Sequence, residues 1–132
     1  MARILGIDYG EKRIGLAISD PLLIIAHPLT FVEKLEDIKE IINKYPDLEE
    51  IVIGLPKSMS GEIKESAQKV LSFVEELKKQ ITVPIKTWDE RLTTVAMQKS
   101  LISLGVSRKK RKKKIDQSAA AYMLQGYLDA KK

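Results

Sequence analysis

The chain has no cysteine, so it carries neither a disulfide framework nor a thiolate metal site, and nothing ties it to an oxidising compartment. Its single histidine, His27, sits beside Pro28 with no second imidazole to share a metal, which reads as structural or incidental. Aromatic residues make up 5% of the sequence, too few for base stacking to dominate a nucleic-acid interface. No apolar run approaches the ~20 residues that span a bilayer, and the N-terminal residues lack the layout of a secretion signal. A cytoplasmic protein with no membrane partner is therefore expected. What remains is 132 residues with 44% hydrophobic and 31% charged content, enough for one core and too little for two. A single domain over residues 1–132 is the expectation.

Charge is unevenly spread. Arg108, Lys109, Lys110, Arg111, Lys112, Lys113 and Lys114 form an unbroken basic run whose seven charges exceed the whole net charge of +5, so the rest of the chain is slightly acidic. A local basic segment suits a polyanion such as RNA or DNA, because binding releases condensed counterions. A solvated linker between two helices is the plainer reading of the same run.

The opening stretch organises the rest. Two β-branched runs, Ile4 to Ile7 and Ile14 to Ile18, flank a short polar connection with Gly6 and Gly10 at its near shoulder, the signature of a β-hairpin. The first run is almost continuously apolar, as in a central strand covered on both faces. Asp8 then stands at the strand's tip, held in place yet reachable from solvent. A third strand follows over Ile24 to Val32, demoted to an edge or a bulge by Pro28. A helical stripe runs from Leu35 to Tyr45, and Ile51 to Pro56 reads as a buried strand parallel to the first. The loop 57–61 leads into a second helix with apolar positions at Ile63, Ala67, Val70, Leu71, Val74 and Leu77. A last strand over residues 83–88 ends in Asp89-Glu90-Arg91, followed by a helix over residues 92–102, the basic run, and a final helix starting near Ile115.

Asp116 precedes Ala119, Ala120, Met123 and Tyr127 by three, four, seven and eleven residues, which puts it on the apolar face of that final helix. An inward carboxylate there is either an N-cap or a ligand. Three acidic positions thus stand at comparable places: Asp8, then Asp89 or Glu90, then Asp116. Hard divalent cations prefer oxygen ligands, and two ions about 3.5–4 Å apart can hold both oxygens of a phosphodiester displacement. Carboxylates of this kind beside a basic run are what a metal-dependent nuclease needs.

Four stretches taken together, Gly6 to Asp20, Val52 to Pro56, Asp89 to Thr94, and Asp116-x-x-Ala119-Ala120 with Leu124-Gln125-x-Tyr127-Leu128, closely resemble the YqgF family nearly end to end. That bacterial family is described both as Holliday junction resolvases and as nucleases of the 5′ end of pre-16S ribosomal RNA. The resemblance implies an α/β, ribonuclease H-like fold: a five-stranded mixed sheet, three strands antiparallel and two parallel, with helices on both faces. It further implies that Asp8, Glu90 and Asp116 are the catalytic, metal-binding acids for Mg²⁺ or Mn²⁺. The resemblance points to Glu90 rather than Asp89, and alternation along a strand lets only one of the two face the site. Resolvases of this fold bring a fourth acid close to the last one, whereas positions 117 to 120 here are Gln, Ser, Ala and Ala.

Lys12, Arg13 and Arg91 are expected to contact backbone phosphates, with surface salt bridges as the plainer alternative. The expected partner is structured RNA or branched DNA. A four-way junction calls for a two-fold dimer, because two symmetric cuts are needed, whereas a single RNA end asks only for a monomer; monomer or weak homodimer is the expectation. The function expected is pre-16S rRNA 5′-end processing. The alternatives are junction resolution, or a ribosome-assembly module that binds nucleic acid without cutting it.

Overall fold

The computed structural model describes residues 2–10, 12–55, 65–89 and 118–131. The expected loop 57–61, the start of the second helix at Ile63, the helix 92–102 and the basic run 108–114 lie outside the described residues. In chain order the described elements are β1 (Arg3–Asp8), β2 (Ile14–Ser19), β3 (Ala26–Val32), α1 (Leu35–Asn43), β4 (Leu48–Leu55), α2 (Glu65–Lys78), β5 (Ile85–Asp89) and α3 (Ala119–Lys131). The strands form one sheet in the order β3-β2-β1-β4-β5. β2 pairs antiparallel with β1 and β3, while β4 runs parallel to β1 and β5 parallel to β4. The mixed sheet and the central position of β1 agree with the sequence. Among the described residues no helix is long and apolar enough to cross a membrane.

Strand alternation divides the sheet into two faces. Leu5, Ile7, Leu16, Ile18, Ile51, Ile53 and Leu55 pack with Ile38 of α1 and with Ala67, Val70, Phe73, Val74 and Leu77 of α2. Ile4, Ala17 and Val52 pack on the opposite face with Ala120, Met123, Leu124, Tyr127 and Leu128 of α3. β1 is thus covered on both sides, which is why its run is nearly continuous in apolar residues. Each fully buried Ile or Leu there contributes about 1.5–3 kcal/mol relative to an exposed one.

Two boundaries differ from the sequence reading. The third strand begins at Ala26, not Ile24, because the Asp20 carboxylate accepts the backbone N–H groups of Leu22, Ile24 and Ile25 at 3.2, 2.7 and 2.8 Å and folds them into a turn. Leu23 takes φ 59° within that turn. Pro28 sits on the edge strand beside a register shift, as its missing N–H requires. The last helix begins at Ala119 rather than near Ile115: the Ser118 hydroxyl accepts the Ala121 N–H at 3.1 Å and serves as the N-cap.

α3 is stapled to the sheet by Gln125, whose amide oxygen accepts the Ala26 N–H at 2.9 Å while its nitrogen donates to the Ile24 carbonyl at 2.9 Å. At its C-terminal half the Tyr127 hydroxyl donates to Glu50, a buried carboxylate that also pairs with Lys86 at 3.4 Å and Lys131 at 3.7 Å. Burial, with the Glu50 hydrogen bond and charge added, pushes the Tyr127 phenol well above its usual range. Between these anchors α3 lies against the β1 backbone itself. A Cβ placed on Gly6 would stand 2.9 Å from the Leu124 Cβ, and no rotamer change moves a Cβ. Gly6→Ala is therefore expected to cost about 1–3 kcal/mol by overpacking, read as a lower denaturant midpoint. Shortening Leu124 to Ala in that background should not recover it, because the clashing atom stays.

Candidate active site

The hairpin signature sorts itself by task. Gly10 is required by the turn, where a Cβ would meet the Arg13 carbonyl oxygen at 2.6 Å. Ser19 is wholly buried, and its hydroxyl accepts the Ile4 N–H at 2.8 Å. Asp20 is spent on the β2–β3 turn, and those backbone hydrogen bonds, Ile25 foremost, hold its carboxyl below the ordinary range. Asp8 has no such task. It ends β1 opposite Gly15, half-buried, and among the described residues no hydrogen bond or ion pair reaches its carboxylate. Burial pushes its pKa up.

Asp8 shares the face of Gly6 and Gly15, the two glycines over which α3 packs. The Ala120 methyl lies 3.5 Å from where a Gly15 Cβ would be. Ser118 takes the cap role that sequence reasoning left open for Asp116, and Asp116 itself lies outside the described residues. So do Glu90, Arg91 and the run Arg108 to Lys114. Asp89, the rival of Glu90, pairs with Leu55, which packs with α2. Asp89 therefore belongs to the face opposite Asp8.

Among the described residues no three His, Cys, Asp or Glu side chains come together; Glu90 and Asp116 lie outside them. The described member has the character of a ligand for a hard cation: a carboxylate at a strand tip, partly desolvated and without a counter-charge. The only histidine, exposed His27, pairs with Ile18 near the other end of β2. The donor described at this end of the sheet is thus the Asp8 carboxylate, an oxygen ligand of the kind Mg²⁺ or Mn²⁺ takes.

Lys12 and Arg13 are exposed beside Asp8 in the β1–β2 turn. The Arg13 guanidinium lies over the Phe31 ring, 4.2 Å from its centroid. Nothing in the sequence singles out Phe31, one apolar residue among several in the third strand; its prominence comes from the register that sets it opposite Gly15.

Because burial raises the Asp8 pKa, the unfolded chain releases this proton first. Stability is then lost as pH rises from the ordinary carboxylate range through the raised value, and stays lowered above it. Asp8→Asn should melt at a higher temperature than wild type near pH 7 in the absence of divalent metal, with the difference vanishing near pH 3. Thermal unfolding at the two pH values checks this, and equal melting at both would show that the carboxylate is not desolvated.

Residues 2–130 match the family described as RuvX, Holliday junction resolvase. A Clostridium acetobutylicum protein provisionally named a pre-16S rRNA nuclease is 49% identical over 134 residues, covering 97% of this chain and 98% of that protein. One of the same name from Desulforamulus reducens is 48% identical over 134 residues, covering 97% of each. Among solved structures, T. thermophilus RuvC in complex with a Holliday junction substrate superposes with a TM-score of 0.60 at 15% identity, covering 99% of this chain and 96% of that one. The likeness establishes a ribonuclease H-like fold, as the strand order already indicated. With matched motifs, matched length and nearly half its residues shared with curated members, the chain belongs to the RuvX family, also called YqgF.

Proposed function

We propose that this chain is a single-domain, metal-dependent nuclease that hydrolyses a phosphodiester bond in the 5′ precursor segment of 16S ribosomal RNA. The observation that carries the reading is Asp8: a desolvated carboxylate at the tip of the central strand, with no hydrogen bond or ion pair among the described residues. The names of the close relatives supply the substrate. In this reading Asp8, Glu90 and Asp116 hold Mg²⁺ or Mn²⁺. Such a cation, when bound, withdraws charge from the scissile phosphate and acidifies water.

The other contributions come from the chain's own groups. Asp8 supplies negative charge from a rigid strand end, and its raised pKa is relieved by any counter-charge that arrives. Lys12, Arg13 and Arg91 attract the backbone phosphates on either side of the cut. The seven charges from Arg108 to Lys114 add sequence-independent, salt-sensitive affinity.

Junction resolution is the second reading, favoured by the family's description and the RuvC likeness. A binding-only assembly factor is the third, favoured by Gln117, Ser118, Ala119 and Ala120, which bring no further acid close to Asp116 in the sequence. The test offers a labelled precursor 16S 5′ fragment and a four-way DNA junction side by side, with Mg²⁺, Mn²⁺ or EDTA. Cutting of the RNA that EDTA stops is expected. Asp8→Asn should reduce it by well over the roughly 10–100-fold that follows loss of a ligand's outer hydrogen-bond partner, while the protein stays folded. Cutting of the junction alone would favour the second reading; binding of either probe without cutting, unchanged by Asp8→Asn, the third.

A further inference from the structure

The geometry points to a base-stacking shelf, made by Phe31 with Arg13, that holds one unpaired nucleotide beside the phosphodiester at Asp8. The inference rests on the nuclease reading and names its substrate class: nucleic acid that is unpaired next to the cut.

Three observations converge on it. Phe31 is 53% exposed, although a ring of that size contributes to folding only when it leaves water. Its inner edge rests on Gly15, where a Cβ would come within 3.3 Å of the ring. Phe31 pairs with Gly15 and Gly15 with Asp8, so the three lie in one row across β3, β2 and β1 on a single face. With strands about 4.8 Å apart, the Phe31 and Asp8 backbones are about 10 Å from one another. Finally, the Arg13 guanidinium covers the ring at 4.2 Å and is itself exposed. An exposed cation–π pair stabilises a fold by only ~0.5–1 kcal/mol, so the pair is poorly accounted for as structure. A planar cation beside an aromatic face does suit a nucleobase, which stacks, joined to a phosphate, which the guanidinium fork can grip. The adjacent Lys12 adds positive charge and favours the same polyanion.

A paired base is already stacked within its helix, so only an unpaired one can occupy the shelf. The shelf would therefore select a single-stranded extension or a frayed end over a continuous duplex. RNA and DNA share this chemistry, and the probes separate them.

The test measures binding by fluorescence anisotropy in the Asp8→Asn background, which prevents cutting during the titration. Three labelled probes are used in RNA and in DNA form: a stem with a single-stranded 5′ extension, the same stem with abasic residues in the extension, and a fully paired duplex. Phe31→Leu keeps an apolar contact on Gly15 but removes the ring. It should weaken the extension probe on the order of tenfold, the worth of one stacked base, and leave the abasic and duplex probes unchanged. Phe31→Trp should retain tight binding. Equal affinity of Phe31→Leu and its parent for all probes overturns the shelf, and so does an equal loss on all three, which marks a folding defect. Because the readout is binding, absence of cleavage by the wild type would sink the nuclease reading without touching this result. Cleavage with an indifferent Phe31 would sink the shelf alone.

Discussion

The packing of α3 directly onto the β1 backbone at Gly6 is the contact on which the candidate site depends. A helix can approach a sheet this closely only where the sheet offers no side chain, and Leu124 fills the space that a Cβ on residue 6 would need. The same approach is repeated one strand over, where Gly15 admits Ala120 and the inner edge of Phe31. Asp8 belongs to this face, just past the glycine that lets the helix in. It is partly desolvated, and that burial raises its pKa.

Keeping α3 in that position falls to polar groups distributed along it. Ser118 starts the helix, Gln125 ties its middle to the beginning of β3, and Tyr127 and Lys131 close on Glu50 at the end remote from Asp8. A buried carboxylate such as Glu50 costs several kcal/mol when unpaired, so its three partners are a condition of the fold rather than an ornament to it. The arrangement leaves Glu50 and Asp8, two strand acids of this face, with opposite characters. Glu50 is saturated with partners and structural, whereas Asp8 has none among the described residues and is available for chemistry. Residue type does not separate these two carboxylates; their surroundings do.

Much of this was legible in the residues themselves. The β1–β2 hairpin, the position of Asp8 at a strand tip, the parallel β4 and the edge placement of the Pro28 strand all follow from local rules, because the period of two, turn chemistry and the missing N–H of proline act over a few residues. The preference for Glu90 over Asp89 came from the resemblance, alternation adding only that one of the two can face the site; Asp89 pairs with Leu55 on the face opposite Asp8, while Glu90 lies outside the described residues. Glu50 was not legible in the same way. In the sequence it reads as a polar boundary to an apolar run, yet it is a strand residue bonded to a tyrosine 77 positions away. The helix start was missed for a related reason: Asp116 and Ser118 are both good caps, and only the backbone reveals that Ser118 is used.

The sequence by itself determined the β1–β2 hairpin, the acid at the tip of β1 and the membership of the family, since each depends on short-range pattern or on motifs read in line. Only the tertiary structure decided which side of the sheet each polar group occupies, which carboxylate is neutralised and which has no partner among the described residues, and that Phe31, with Arg13 over its ring, shares a row with Asp8. Those outcomes depend on register between strands and on the approach of a helix far along the chain. Such contacts are set by the packing of the whole core, which no local pattern encodes.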